Sequence, residues 1–410
     1  MSHYEFLGGL VTLVGGFSYI NARFFKFPDA IGTALLGMLA SLGLMVFSLF
    51  NPHSLSVASE FVSQLDFSKL VMDCLLGLLL FAGALGVDLS KLKNQKWAIL
   101  TLATVGVVFA VGLIGLGLHM LLGWFGIQLS LLWCMVFGAL IAPTDTVAVL
   151  GVVRKVGAPQ EVEGVIVGEA LFNDGVAVVL FVTLVGLAMG GESLSLSAVG
   201  VELAQAVLGG LAFGGVLGLA VIYLMRSVHN STVDIFLTLA LATGGYTLAH
   251  ALHLSGPLAV VAMGLVIGKK LKGEEIHRKS LESFWEILDE VVNLLLFALI
   301  GLQALTLNLS WDYLPVGLAV AALGLSARYI SVGVPLTMFK SLRTEHPNLA
   351  KLLTWGGLRG GISIALALSL PSFPGKDLLL GLTYIAVAFS LVIQATTLQR
   401  VVNRLCLKAN

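Results

Sequence analysis

The chain has 410 residues, 58% of them hydrophobic and 11% charged, with a formal net charge of zero at pH 7. Soluble domains carry about 25% charged residues, so an ordinary soluble globule is excluded, and the zero net charge excludes a general attraction to nucleic acid. Apolar runs of about 20 residues recur from end to end, long enough to cross roughly 30 Å of hydrocarbon, and they do not alternate as barrel strands would. The chain reads as an all-α polytopic membrane protein.

Taken in order, transmembrane helices are predicted near 6–24, 28–50, 68–88, 97–122, 129–153, 162–189, 197–225, 233–252, 256–270, 284–306, 312–339, 350–370 and 377–400. No cleavable signal is read before the first span, and no extramembrane stretch is long enough for a soluble domain. The ninth span is short, and the tenth begins with Glu286, Asp289 and Glu290. Loop charges test the count. Alternate loops hold Arg23 and Lys26; Lys91, Lys93 and Lys96; Arg154 and Lys155; Arg226; Lys269, Lys270, Lys272, Arg278 and Lys279; Lys340, Arg343 and Lys351; and the C-terminus adds Arg400, Arg404 and Lys408. Nineteen of the 23 basic residues thus fall on one side, with Lys69 and Lys376 on the other and Arg328 and Arg359 inside spans. The positive-inside rule then places the N-terminus outside and the C-terminus in the cytoplasm. A count wrong by one helix would scramble this alternation, so thirteen spans are expected.

An odd count is compatible with two inverted six-helix repeats, spans 1–6 and 8–13, joined by span 7. Span 5 then corresponds to span 12. Span 5 contains "LIAPTDTVAVLG", with Pro143, Thr144 and Asp145 in mid-span, and span 12 contains "LTWGGLRGGISIAL", with glycines flanking Arg359. Each is the most helix-breaking stretch of its half, and the count of spans does not depend on either. Two crossed, broken helices are predicted.

Charges inside the spans are costly and therefore informative. Asp145 follows Pro143, which cannot donate a backbone hydrogen bond; freed carbonyls and the hydroxyls of Thr144 and Thr146 place oxygen ligands for a hard cation beside a carboxylate. The competing reading is a proline kink whose second half-helix Asp145 caps. Residues 164–181, "GVIVGEALFNDGVAVVLF", carry Glu169, Asn173 and Asp174. Asp174 has no permanent cation near it in sequence, so it can take a proton or a metal cation in turn; the bland alternative is a structural carboxylate bonded to neighbouring hydroxyls. At 100° per residue Glu169 points about 40° from Asn173 and about 140° from Asp174, so the two acids do not share a face. Arg359 is predicted as the ion-pair partner of Glu169; the alternative for these residues is a direct part in ion binding. Arg328, in "LGLSARYIS", either bonds helix-end carbonyls in the crossing region or approaches the ion path. Asp73 reads as a solvated funnel residue.

Other features carry less. Cys74, Cys134 and Cys406 lack metal-ligand spacing, and His250 and His253 belong to no zinc motif. The spacing of Gly210, Gly214 and Gly218 permits close helix packing, within the chain rather than at a dimer face. The segment "GKKLKGEEIHRKSLESFWEILDE" reads as a solvated linker lying outside or on the membrane.

Together, "APTDTVAV", "GEALFNDGVAVVLF", "SFWEILDEVVNLLLFALIGLQ" and "LTWGGLRGGISIALAL" resemble, in order and over essentially the whole chain, the NhaP-type sodium/proton antiporters of the monovalent cation:proton antiporter superfamily. The resemblance implies a thirteen-helix fold in which an ion-binding core, here approximately 68–189 and 284–370, moves against a dimerisation bundle formed by the other spans. It implies Asp174 as the carboxylate that binds Na⁺ or H⁺, Thr144 and Asp145 in the crossed helices beside it, Asn173 next to it, and Glu169 with Arg359 as a stabilising pair; Arg328 corresponds to a family arginine of the same helix. Two positions depart from the family pattern: Ala170, where a serine is common, and Ala82, where many members carry glutamate. The ligand set is thinner by two oxygens, which bears on the choice of cation. With Asn173 in place of a second acid, exchange is expected to be one H⁺ for one Na⁺ (or Li⁺) and electrically neutral. No enzymatic activity, cofactor or nucleic acid is expected; the partners are a monovalent cation, the proton, membrane lipid and a second copy of the chain, in the bacterial inner membrane. K⁺/H⁺ exchange is the alternative within the class. A cation channel is the alternative outside it, although no filter-like repeat is present, and an intramembrane hydrolase built on Asp145 and Asp174 is a remote third.

Overall fold

The computed structural model describes residues 3–48, 50–51, 62, 67–87, 95–145, 149, 152–153, 156, 159–190, 196–228, 230–270, 275–306 and 313–406. Among these residues every regular element is helical, and a single β-bridge joins Asp145 to Leu358. The main helices are α1 (His3–Ile20), α2 (Asp29–Ser48), α3 (Phe67–Leu85), α4 (Lys96–Trp124), α5 (Leu131–Ile141), α6 (Gln160–Ala188), α7 (Leu196–Val228), α8 (Ser231–Ala251), α9 (Gly256–Lys270), α10 (Glu275–Leu302), α11 (Tyr313–Leu336), α12 (Leu349–Gly356), α13 (Gly361–Leu368) and α14 (Lys376–Leu405), and a short helix, Lys340–Glu345, lies between α11 and α12. Among the described residues, eight helices are long and apolar enough to cross a membrane, and α5 and most of α9 are shorter apolar helices. The chain is thus a multi-pass membrane protein.

Local chemistry sets several boundaries. α5 starts at Ser130, whose hydroxyl accepts from the Trp133 N–H at 3.4 Å. α8 starts at Asn230, whose Oδ1 accepts from the N–H groups of Thr232 and Val233 at 2.9 and 3.3 Å. Both satisfy first-turn donors that a helix cannot pair by itself. α6 follows Pro159, whose fixed φ suits a helix start. Single π-helical turns interrupt α3 (Leu70–Leu75), α4 (Leu102–Gly106) and α14 (Ser390–Ala395).

One apolar core gathers α4, α5, α6, α11 and α14 around Leu118, Phe137, Leu140 and Leu382. A second gathers α3, α7, α8, α9 and the first half of α10 around Phe81, Met263 and Trp285. α2 lies along α10, and α7 along α9. On α7 the three glycines at four-residue spacing face α9: a Cβ on Gly214 would collide with the Ala259 carbonyl, and one on Gly210 would stand 2.7 Å from the Ser255 carbonyl. The glycine stripe is used for contact within the chain, as its spacing led one to expect.

The segment before the tenth span departs from expectation. From Glu275 onward it is helix, continuous with the span, not a solvated linker. Leu281 and Trp285 are 1% and 2% exposed. The Trp285 ring packs at a tilt against Phe81, with centroids 4.5 Å apart, and its N–H donates to the Thr238 hydroxyl at 3.1 Å. The charges of this stretch alternate with an apolar stripe at helical spacing, so one face is buried while the other stays wet.

Candidate functional site

The site begins with two interruptions. α5 stops at Ile141, and residues 142–145 are not helical. Pro143 has no N–H to continue the ladder, so carbonyls are freed in a region where each unsatisfied polar group is costly. Between α12 and α13, residues 357–360 are likewise not helical. The breaks meet: the Asp145 N–H donates to the Leu358 carbonyl at 2.8 Å. Arg359 Nη1 donates to the carbonyls of Ala142 at 2.9 Å and Pro143 at 3.0 Å. Asn173 Nδ2 donates to Thr144 Oγ1 at 3.0 Å and, at 3.3 Å, to the same Ala142 carbonyl. The π-helical part of α14 braces the second break from behind. Ser390 Oγ accepts from the Arg359 N–H at 2.8 Å, and Gln394 Nε2 donates to the Trp355 carbonyl at 3.2 Å.

This geometry corrects one pairing. Glu169 does not pair with Arg359. It pairs with Arg328 on α11, in a bidentate contact with both N···O distances 2.8 Å, and both side chains are buried. The reason is positional. Arg359 lies inside a break, where the freed carbonyls of Ala142 and Pro143 take its guanidinium; Arg328 lies on an intact helix facing Glu169. Of the roles left open for Arg328, the bonding of helix-end carbonyls belongs instead to Arg359.

In front of the crossing lies a cavity of about 700 Å³. Its rim includes the exposed residues Gln160, Glu286 and Glu290, and its floor includes Thr144, Asp174 and Ser363, which are 1%, 8% and 1% exposed. α6 contributes Glu163, Val167, Ala170 and Asp174, spaced three or four residues apart along one face. α10 contributes Glu286, Asp289 and Asn293, and Asn293 Nδ2 donates to the Asp289 carbonyl at 2.9 Å. Asp145 reaches the wall beside Gly360, where an added Cβ would stand 2.9 Å from its Oδ2. A side chain at 360 would therefore displace this carboxylate, which sits at the N-terminal, electropositive end of α13. Asp145 acts across the crossing, on a half-helix of the other break.

Asp174, Asp145 and Thr144 are thus brought to one cavity. Asn173 is not among its lining residues; it is fully buried and ties α6 to the first break. Asp174 Oδ1 has no hydrogen-bond partner among the described residues. No three acidic, histidine or cysteine side chains among the described residues converge as a metal cage would require. The acids are spread along the cavity. Ala82 and Ala170, the two departures from the family pattern, both line this cavity. Thr146 lies outside the described residues, as does the side chain of Asp73.

Sequence reading missed Asp289, Asn293, Ser363, Ser390 and Gln394. The acids at the start of the tenth span are a signal visible in the sequence, and in the structure they line the cavity. The serines and the glutamine carried none, since their roles depend on which backbone groups a break leaves unpaired.

Discontinuous helices meeting around a buried acid define a class, the ion-coupled membrane transporters. The family model described as "Sodium/hydrogen exchanger, transmembrane" matches residues 9–404, and the chain belongs to that family. It is 40% identical over 409 residues to the Na(+)/H(+) antiporter NhaP of Pseudomonas aeruginosa, covering 98% of this chain and 96% of that protein. It is 32% identical to the Na(+)/H(+) antiporter NhaH of Halobacillus aidingensis, covering 94% and 93%. In fold it is similar to the sodium proton antiporter MjNhaP1 from Methanocaldococcus jannaschii at pH 8, with a TM-score of 0.77 at 20% identity over 99% of this chain and 100% of that one.

Proposed function

We propose that this protein is a secondary Na⁺/H⁺ antiporter in which Asp174 binds either the cation or the proton. The observation that carries the reading is the state of Asp174: buried at the floor of a cavity with an exposed rim, with Oδ1 unpartnered among the described residues. Family membership and the names of its relatives supply the class of exchange. Five charges lie at or beside the crossing. Arg328, Arg359, Glu169, Asp145 and Asp174 sum to one negative charge when Asp174 is ionised, and to zero when it holds one H⁺ or one monovalent cation. Moving a net charge through hydrocarbon is costly, so the core crosses in its loaded, neutral forms. One H⁺ is exchanged for one Na⁺ or Li⁺, without net charge movement.

In this reading the chain crosses the bacterial inner membrane thirteen times, as two inverted six-helix repeats with its C-terminus in the cytoplasm, and the rim of the cavity faces the cytoplasm. α4–α6 with α11–α14 form the moving core. α1–α3 with α7–α10 form the scaffold on which a second copy docks. The packing of α11 on α4 and α14, and of α9 on α3 and α7, supports this division, which shifts the core boundaries from 68–189 and 284–370 by giving α3 and α10 to the scaffold and α14 to the core. The test is proton flux in proteoliposomes against gradients of Na⁺, Li⁺ and K⁺. Exchange with Na⁺ that neither responds to nor generates a membrane potential is expected; passive, uncoupled flux would instead indicate a channel. A second reading, K⁺/H⁺ exchange, draws on Ala82 and Ala170, which leave the cavity wall without two oxygens. A K⁺-driven flux exceeding that with Na⁺ would establish it.

A further inference from the structure

A cation that gives up water at Asp174 must be met by other oxygens, and the first break offers few. The carbonyls of Ala142 and Pro143 are engaged by Arg359. Ala82 and Ala170 have none in their side chains. Thr144 Oγ1 is already accepting from Asn173. One further oxygen stands out. Ser363 is 1% exposed, lines the same cavity, and its Oγ has no hydrogen-bond partner among the described residues.

That state is unusual in this chain. Serine and threonine hydroxyls in its helices habitually bond back to a carbonyl one turn earlier, as Ser331 does to Arg328 at 3.1 Å, Thr354 to Ala350 at 2.7 Å and Thr383 to Leu379 at 2.7 Å. Such back-bonding is the usual way a hydroxyl is satisfied in an apolar setting. Ser363 is the third residue of α13, so the turn before it is the break, and residues 359 and 360 are not helical. Its position denies it the ordinary partner and leaves a buried hydroxyl facing a polar cavity. α13 packs against α6, which carries Asp174. The positive end of α13, which would repel a cation, has the Asp145 carboxylate beside Gly360.

We propose that Ser363 is a direct ligand of the transported cation, supplying from α13 the hydroxyl oxygen that Ala170 does not supply from α6. The inference rests on Asp174 being the exchange site. Ala170 lies four residues before Asp174 on the same helix face, so the two positions approach one ion from neighbouring helices and can substitute for each other.

The experiment uses the full chain in proteoliposomes, with Na⁺ as the probe and Asp174→Asn measured in parallel. Ser363→Ala is expected to raise the apparent KM for Na⁺ about tenfold, equivalent to about 1.4 kcal/mol, with maximal rate close to that of the parent. Ser363→Thr, which keeps the oxygen, is expected to stay near the parent. Ser363→Cys, close in size but with a sulfur that ligates Na⁺ poorly, is expected to behave as Ala does and covers the case in which the smaller variant does not fold. Adding Ala170→Ser to Ser363→Ala is expected to restore most of the lost affinity. An unchanged KM in both Ser363→Ala and Ser363→Cys, or a fall in maximal rate at constant KM, overturns the assignment of Ser363. If instead Asp174→Asn keeps full exchange, the assignment of Asp174 fails, and the two failures are distinguished.

Discussion

Glu169 and Asp174 stand five residues apart on one helix, 0% and 8% exposed, and their surroundings are opposite. Glu169 has both oxygens in a bidentate contact with Arg328, on a helix that is unbroken there. Asp174 lies at the cavity floor with an oxygen that has no partner among the described residues. Burial by itself therefore does not make an acid functional. A fixed counter-charge makes it architecture, and the lack of one leaves it able to change partners.

The largest effect expected from breaking this contrast is at the open acid. Asp174→Asn should abolish Na⁺-driven proton flux while the purified protein melts within a few degrees of the parent, since no structural ion pair is lost. Full transport by that variant would remove Asp174 from the mechanism. Next is the closed acid. Arg328→Leu leaves Glu169 buried without its cation, which costs about 3–5 kcal/mol; the expected result is loss of folded protein in detergent, read by size-exclusion chromatography. Replacing both partners, Glu169→Gln with Arg328→Leu, should recover much of that stability. If the single and double variants melt alike, the pair is not what holds α6 to α11.

A smaller effect is expected at the residue between them. Asn173→Ala removes the donor to Thr144 and Ala142 and should cost about 1 kcal/mol of stability. It should also slow exchange without eliminating it, because the carboxylate remains. Unaltered flux and melting would show that the first break holds its shape without this amide. The mildest test concerns competition. If H⁺ and Na⁺ share Asp174, lowering pH should raise the apparent KM for Na⁺, approaching tenfold per pH unit once the proton dominates the site. A KM that does not move with pH would require separate sites.

Much of this architecture was legible in the sequence. Pro143 in one apolar run and the glycines around Arg359 in another identified the two breaks before any coordinates, because few residues disrupt a helix so strongly. The side-chain angle between Glu169 and Asp174 followed from helical geometry alone. The partner of Glu169 did not. Two arginines were available, and nothing local to either tells which faces α6; Arg328 lies 159 positions away. Ser363, Ser390 and Gln394 were silent for the same reason. A hydroxyl in an apolar run reads as an inert small residue until the path of the neighbouring backbone is known.

The contact between Arg359 and the carbonyl of Ala142 spans 217 positions of the chain. During synthesis α5 is made long before Arg359, so Asn173 on α6 is at hand for the Ala142 carbonyl early, while the guanidinium that bonds the carbonyls of Ala142 and Pro143 comes near the end of the chain. The two breaks consequently complete each other: the first takes the Arg359 guanidinium, and the second has its Leu358 carbonyl taken by the Asp145 N–H. A chain truncated before Arg359 therefore lacks the cation that ties the first break to the second.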